Sequence, residues 1–371
     1  MKSQQITIIG GGICGLSTAF ALHCRGYTNI RLLEAKIWPN PLGSSHSHSR
    51  ITRSAYSSSF YVNLMQQAHH EIWPRLEKEL KKTLIHPCSG LFFGPQDGLI
   101  QDYTSAVQEA GAQVEACTIE HAKKQFPQFS FLPTDAILLD HTAGVIAAEH
   151  TVLGLVQYLQ EKGVTLLSHT PVLQLEGNTI ITPTSTLYSD WTICCTGPWI
   201  PKLFPFLNDT LRPLRQRIFY MESTVPHLIS IPHFPVWVEV GQSLEENWYG
   251  LPQFGNEGFK LARHRLTGGQ DDPDANPIIQ SQHREEAQEK ARIRFPIYSG
   301  KILQEESCIY TMRDQENYLI DHHPQHHQII IASGFSGHGF KLAPLCGELI
   351  VNMIEGHKTL SPFAYKAHNN A

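Results

Sequence analysis

Three glycines near the start constrain this chain more than any other feature. The stretch QITIIGGGICGLSTAFALHCRGYTNIRLLEA, residues 5–35, reads as strand, glycine turn, helix and second strand. Ile6 to Ile9 are rich in β-branched residues, 13–24 are helix-compatible, and 30–33 return to strand character. Gly10 permits the tight turn, Gly12 lets an anion approach the backbone, and Gly15 lets helix and strand pack closely. A pyrophosphate would meet the unpaired N–H groups at the helix start. Glu34 stands 19 residues beyond Gly15, where a carboxylate accepts hydrogen bonds from an adenosine ribose.

Later segments repeat parts of this pattern. Residues 192–196 read as a further strand ending at Gly197, and 329–332 form another ahead of a glycine-rich turn and a helix over 342–354. Fragments of one nucleotide-binding sheet thus lie near the start, middle and end of the 371 residues. Between them, RQRIFYMES, FPVWVEV and NWYGLPQF are alternating and aromatic, the composition of antiparallel strands, and 279–293 reads as a solvated helix. Pro74 interrupts a helical run and predicts a kink or break there. DDPDANP, 271–277, is a polar turn to which no function attaches.

Composition excludes several classes. With 29 basic and 34 acidic residues the net charge of −5 gives no reason to expect nucleic acid or an anionic membrane as partner. Eight scattered cysteines form no CxxC pair, which suits free thiols in a reducing cytoplasm. Cys194 and Cys195 read as core. The uncharged run after Lys2 lacks a cleavage site and is shorter than a membrane span, and the ending HNNA carries no peroxisomal or retention address, so a cytoplasmic protein is expected. His322, His323, His326 and His327 lack flanking Cys or carboxylate spacing, so no metal is expected.

Four further stretches carry a resemblance that runs almost end to end: GSSHSHSRITRSAY (43–56), YGLPQFGNEGFKLARH (249–264), CIYT (308–311) and ASGFSGHGFKLAP (332–344). With them the chain resembles the monomeric sarcosine oxidase and N-methyltryptophan oxidase family of flavoproteins. The resemblance implies an α/β plus α+β fold, D-amino-acid-oxidase-like, with a Rossmann-like FAD-binding domain (1–84, 145–212 and 313–371) and an inserted antiparallel-sheet substrate domain (85–144 and 213–312). It implies FAD as cofactor, bound through a thioether at Cys308, two residues before Tyr310. Gly10, Gly12, Gly15, Glu34, His46, Ser49, Arg50, Gly197, Gly337, His338, Gly339 and Lys341 would complete the cofactor site. Ser49 stands where the family more often has threonine, and His48 where it usually has an acid.

The resemblance also assigns chemistry. Arg53 and Lys341 match the pair that holds a substrate carboxylate, a task suited to the guanidinium fork. Arg50 matches the arginine over the flavin ring, and Lys260 the lysine associated with oxygen activation. His264 matches a histidine near the substrate amine, and strand alternation places it on the same face as Lys260. Tyr249 and Tyr310 would wall the substrate, while Trp237 stands where a smaller side chain often lines the pocket. The expected activity is an oxidase of secondary (N-methyl) amino acids that converts dioxygen to peroxide. It would act as a monomer on a small amino acid, with dioxygen as the other reactant. A dehydrogenase serving a quinone or protein and a catalytically silent flavin-binding module are the alternatives.

Overall fold

The computed structural model describes residues 2–264 and 270–365, and two large sheets organise it. The first has six strands in the order Leu319–His322, Ile329–Ser333, Trp191–Cys194, Ile6–Ile9, Ile30–Leu33 and Thr165–Leu167. All neighbours are parallel except the first pair. A parallel sheet is stable when helices cover both faces, and Ile6–Ile9 is accordingly buried at every position. Helix Ile13–Cys24 follows directly and packs on helix Ala343–Ile354. Their contact is close because a Cβ on Gly347 would stand 2.6 Å from Ser17 O. The helix after the 334–339 loop thus packs on the helix of the opening glycine motif.

The second sheet has eight strands, ordered Tyr298–Met312, Arg212–Ser223, Phe259–Arg263, Trp248–Leu251, Val236–Glu239, Gly90–Pro95, Asp135–Asp140 and Val114–Cys117. Only Val236–Glu239 with Gly90–Pro95 is parallel. One face packs on helix Ser281–Arg294 through an aromatic core that includes Phe93, Phe129, Phe234, Phe259 and Phe295. Strand Ser49–Thr52 belongs to a third, three-stranded sheet with Gly144–Ala147 and Ile85–Pro87, which carries the Arg50 segment between the two large ones. The architecture is the fold class expected from the sequence.

The helical run around Pro74 is widened rather than cut. Helix Ser59–Gln67 passes into a π-helical turn, Ala68–Ile72, and continues as Trp73–Leu80 with the proline in its first turn. Among the described residues no helix is long and apolar enough to cross a membrane. Nor does any group of three or more His, Cys, Asp or Glu among them form a metal cage.

Candidate active site

Two cavities lie between the large sheets. The larger, about 530 Å3, is a cleft built mainly from backbone. Gly10 holds a φ of +103°, and a Cβ there would sit 2.5 Å from Cys195 O. Gly15 lies beneath the cleft, where a Cβ would stand 2.0 Å from Gly10 O. The helix that starts at Ile13 has no side-chain cap from Gly12, and Ser45 Oγ accepts the Ile13 N–H at 3.0 Å. Its remaining first-turn donors are open to an anion in the cleft.

Glu34 is buried at the cleft wall and already accepts from Gly11 N–H at 2.9 Å, Lys36 N–H at 2.9 Å and Asn40 Nδ2 at 3.1 Å. A carboxylate has about four acceptor positions, so one remains for a ribose hydroxyl. Thr196 Oγ1 is buried in the same wall with no protein partner, a polar group awaiting a ligand. Gly197 and Gly339 line the cleft too, as does Cys195. The glycine cradle, the uncapped helix and the orphan hydroxyl fit an extended dinucleotide such as FAD.

The smaller cavity, about 360 Å3, is a chamber walled by side chains. Arg53 and Lys341 enter it from distant segments. The guanidinium of Arg53 donates to Ala55 O and lies 4.2 Å from the Tyr56 ring centre, while Lys341 Nζ donates to Tyr56 Oη at 3.2 Å. Asp140 shapes this loop by accepting from the Ser54 and Ala55 N–H groups at 2.6 and 2.9 Å. Burial, then the charge of Arg53, pushes Lys341 well below the ordinary lysine pKa. A carboxylate arriving between these two cations would relieve both costs.

On another wall Lys260 Nζ reaches Ser49 O at 3.4 Å and Ser47 Oγ at 3.5 Å. Burial, with Arg50 adding to it, pushes its pKa down to about 7. His264 lines the same chamber, so both residues reach one space. Tyr249 and Tyr310 share a hydroxyl contact of 3.0 Å, and burial raises the Tyr249 pKa to about 12.

Arg50, Cys308, Tyr310, Gly337 and Phe340 line both cavities. The thiol therefore sits where cleft and chamber meet. Arg50 is held there by three carbonyls, of Ser49 at 2.8 Å, Ser44 at 2.9 Å and His46 at 2.6 Å. Gly337 has φ +81°, and a Cβ on it would stand 2.4 Å from the Tyr310 ring, so ring and glycine loop lie in contact.

One expectation needs correction, and other residues expected at the cofactor lie away from the cleft lining. Trp237 does not reach the chamber: it is fully buried on the opposite face of its strand, 5.1 Å from Phe295 and 6.3 Å from Phe93 between ring centres. Its neighbour Val238 lines the chamber instead. His46 lines neither cavity, since Nδ1 turns back to Gly43 O at 2.7 Å. His338 lines the chamber and not the cleft, hydrogen-bonded to Tyr318 Oη at 2.9 Å, and burial followed by Lys341 lowers its pKa to about 3. Ser49, expected at the cofactor, lines the chamber as well.

Other residues escaped the sequence. Glu316 enters the chamber and binds His264, although a single acid in a polar turn gives no periodic signal. The polar 271–277 turn also reaches the site: Asp274 lies at the cleft rim with Lys202 and Trp199, accepting from them at 2.5 and 2.8 Å.

Fold and site together define a dinucleotide-binding protein whose cofactor cleft opens into a buried cationic chamber. The family model described as FAD dependent oxidoreductase matches residues 5–353, and the chain belongs to that family. Monomeric sarcosine oxidase of Bacillus sp. (strain B-0618) is 28% identical, covering 96% of this chain and 93% of its own. Peroxisomal sarcosine oxidase of Homo sapiens is 29% identical over 93% and 90%. N-methyl-L-tryptophan oxidase of Yersinia pestis (strain Pestoides F) is 26% identical over 93% of each. Among solved structures, the open form of NikD, an unusual amino acid oxidase essential for nikkomycin biosynthesis, superposes with a TM-score of 0.84 at 20% identity, covering 99% of this chain and 98% of that one. The protein is thus an FAD-dependent oxidoreductase, similar over nearly its whole length to sarcosine and N-methyltryptophan oxidases.

Proposed function

We propose that this chain oxidises secondary, N-methyl amino acids of the sarcosine type, releasing an imine that hydrolyses while dioxygen becomes hydrogen peroxide. The observation that carries this reading is the pairing of Arg53 with Lys341 in the chamber that also holds Lys260 and meets the cleft at Cys308. FAD held by these residues would supply the two-electron chemistry that couples oxidation of the amine to reduction of dioxygen.

The side chains do the rest. Arg53 and Lys341 bind the substrate carboxylate and so orient the molecule. Tyr249 and Tyr310 close the walls and exclude water. Lys260, whose pKa burial brings to about 7, would place positive charge where dioxygen is reduced. Arg50 is proposed to favour negative charge at the junction, and Cys308 to hold the cofactor by a thioether. Gly10, Gly12, Glu34, Thr196 and the 337–339 loop would hold its remainder.

A chamber of 360 Å3 lies near the lower end of the range of about 300–1,000 Å3 for small-molecule sites. That favours an amino acid over a bulky glycated amine. The similarity to sarcosine and N-methyltryptophan oxidases supports the N-methyl assignment.

The test is anaerobic bleaching of the purified yellow protein with sarcosine, other N-methyl amino acids, pipecolate, proline and glycated amino acids. Bleaching by an N-methyl amino acid, with stoichiometric peroxide on readmitting air, is expected. If none bleaches the protein, the reading fails. L-proline dehydrogenase from P. horikoshii shares the fold at a TM-score of 0.80, so the fold does not separate oxidase from dehydrogenase. Bleaching reversed only by a dye or quinone would favour the latter.

A further inference from the structure

Among the described residues lining the chamber, one carboxylate faces the cations, that of Glu316. Its Oε1 lies 2.7 Å from His264 Nε2, and its backbone carbonyl lies 2.9 Å from His338 Nε2. The backbone that presents it is unusual, because Gln315 and Glu316 both adopt left-handed conformations, with φ of 56° and 54°. Non-glycine residues in succession there are costly, and such strain persists where the surrounding structure enforces it. Burial opposes ionisation of Glu316. The hydrogen bond from His264, with the nearby positive charge of Arg53, outweighs that and holds the carboxyl below its ordinary range.

An ionised carboxylate only accepts hydrogen bonds, so the proton of a neutral His264 must sit on Nε2. That leaves Nδ1 a bare acceptor, and no described residue hydrogen-bonds it. We propose that Glu316 is a positioning residue that locks His264 in the Nε2–H tautomer, so that Nδ1 removes the ammonium proton of the bound amino acid. The proposal rests on the functional reading above, in which the substrate arrives as a zwitterion and reacts as a neutral amine. One N–H bond of the ammonium breaks, an Nδ1–H bond forms, and no electrons are transferred. The product is a neutral amine beside an imidazolium paired with the Glu316 carboxylate.

The surroundings give this transfer its direction. Arg53, Lys341, His338, Tyr56, Tyr61 and Tyr310 face the pair from the packed segments. The two cations beside a substrate carboxylate disfavour a further charge at the amine. Among the described residues lining the chamber, Glu316 is the carboxylate that compensates that charge.

Two measurements on the flavin-loaded protein test this. In 15N-histidine spectra, with His264 assigned through the His264→Asn variant, wild type should show a protonated Nε2 and a bare Nδ1. A proton on Nδ1 would overturn the proposal, whatever the substrate proves to be. In stopped-flow reduction by the bleaching substrate, Glu316→Gln should be roughly 10- to 100-fold slower than wild type at pH 7. It should come within about threefold near pH 11, where an amine of lysine-like pKa, about 10.4, arrives largely without its proton. Glu316→Asp should recover part of the pH 7 rate. An equal loss at both pH values, or none, would reduce Glu316 to a structural role. Failure of every amino acid to bleach wild type would defeat the functional reading alone, and the spectra would still decide the tautomer.

Discussion

The cleft and the chamber are neighbours made by different means. The cleft is shaped by backbone, with glycines where a Cβ would collide and a helix start left open. The chamber is shaped by side chains, and its charges come from segments more than 200 residues apart, Arg53 and Lys260 or Lys341. The first can bind a cofactor common to many enzymes, because backbone geometry recognises shape and phosphate charge. The second stores the unfavourable burial of several cations, which a specific anion relieves. On the function proposed above, binding is general on one side of Cys308 and selective on the other.

Substitutions on the two sides should therefore fail differently. The largest effect is expected at Gly15→Val, which forces side-chain atoms into Gly10 O and should leave no flavin with the purified protein, measured by absorbance and by yield of folded chain. Retained yellow colour would break the claim that the cleft is backbone-made.

Next comes Lys260→Met. The folded lysine has a pKa of about 7 against an ordinary 10.5, so below pH 7 both states are protonated and the folded chain bears the whole cost of burying the charge. Between pH 7 and 10.5 the folded state has shed its proton while the unfolded state keeps it, and wild-type stability rises with pH. The apoprotein of the variant should be more stable by up to ~4 kcal/mol at pH 6, an advantage that shrinks toward pH 10 in urea titrations. A pH-independent difference would contradict the buried charge.

Arg53→Ala should lower kcat/KM for a carboxylate-bearing substrate by on the order of a hundred-fold or more while the flavin stays bound. Loss of flavin and activity together would erase the division between the two sites. The smallest effect belongs to Trp237→Phe, expected to cost about 1–2 kcal/mol in thermal or urea unfolding and to leave the order of preferred substrates unchanged. Val238→Ala, one residue along, should reorder them.

That last pair shows why the cleft was legible in the sequence and the chamber less so. Gly10, Gly12, Gly15 and Glu34 lie within one strand, helix and strand, so their spacing along the chain mirrors their spacing in space. Arg53, Lys260 and Lys341 have no such local pattern, and only the family resemblance groups them. Trp237 was misplaced because strand side chains alternate, and an error of one position exchanges chamber for core. His46 was assigned to the cofactor, yet its ring closes its own loop on Gly43. Glu316 was invisible because its place depends on two left-handed residues in a turn, a conformation that its side chains do not announce.

The central claim is that both cavities hold one flavin, gripped at their junction by the Cys308 sulfur. Digestion of acid-precipitated holoprotein, followed by mass measurement of the peptide spanning Cys308, tests it most directly. The account predicts that this peptide carries the flavin. An unmodified thiol at Cys308, with all the yellow colour in the acid supernatant, would contradict it.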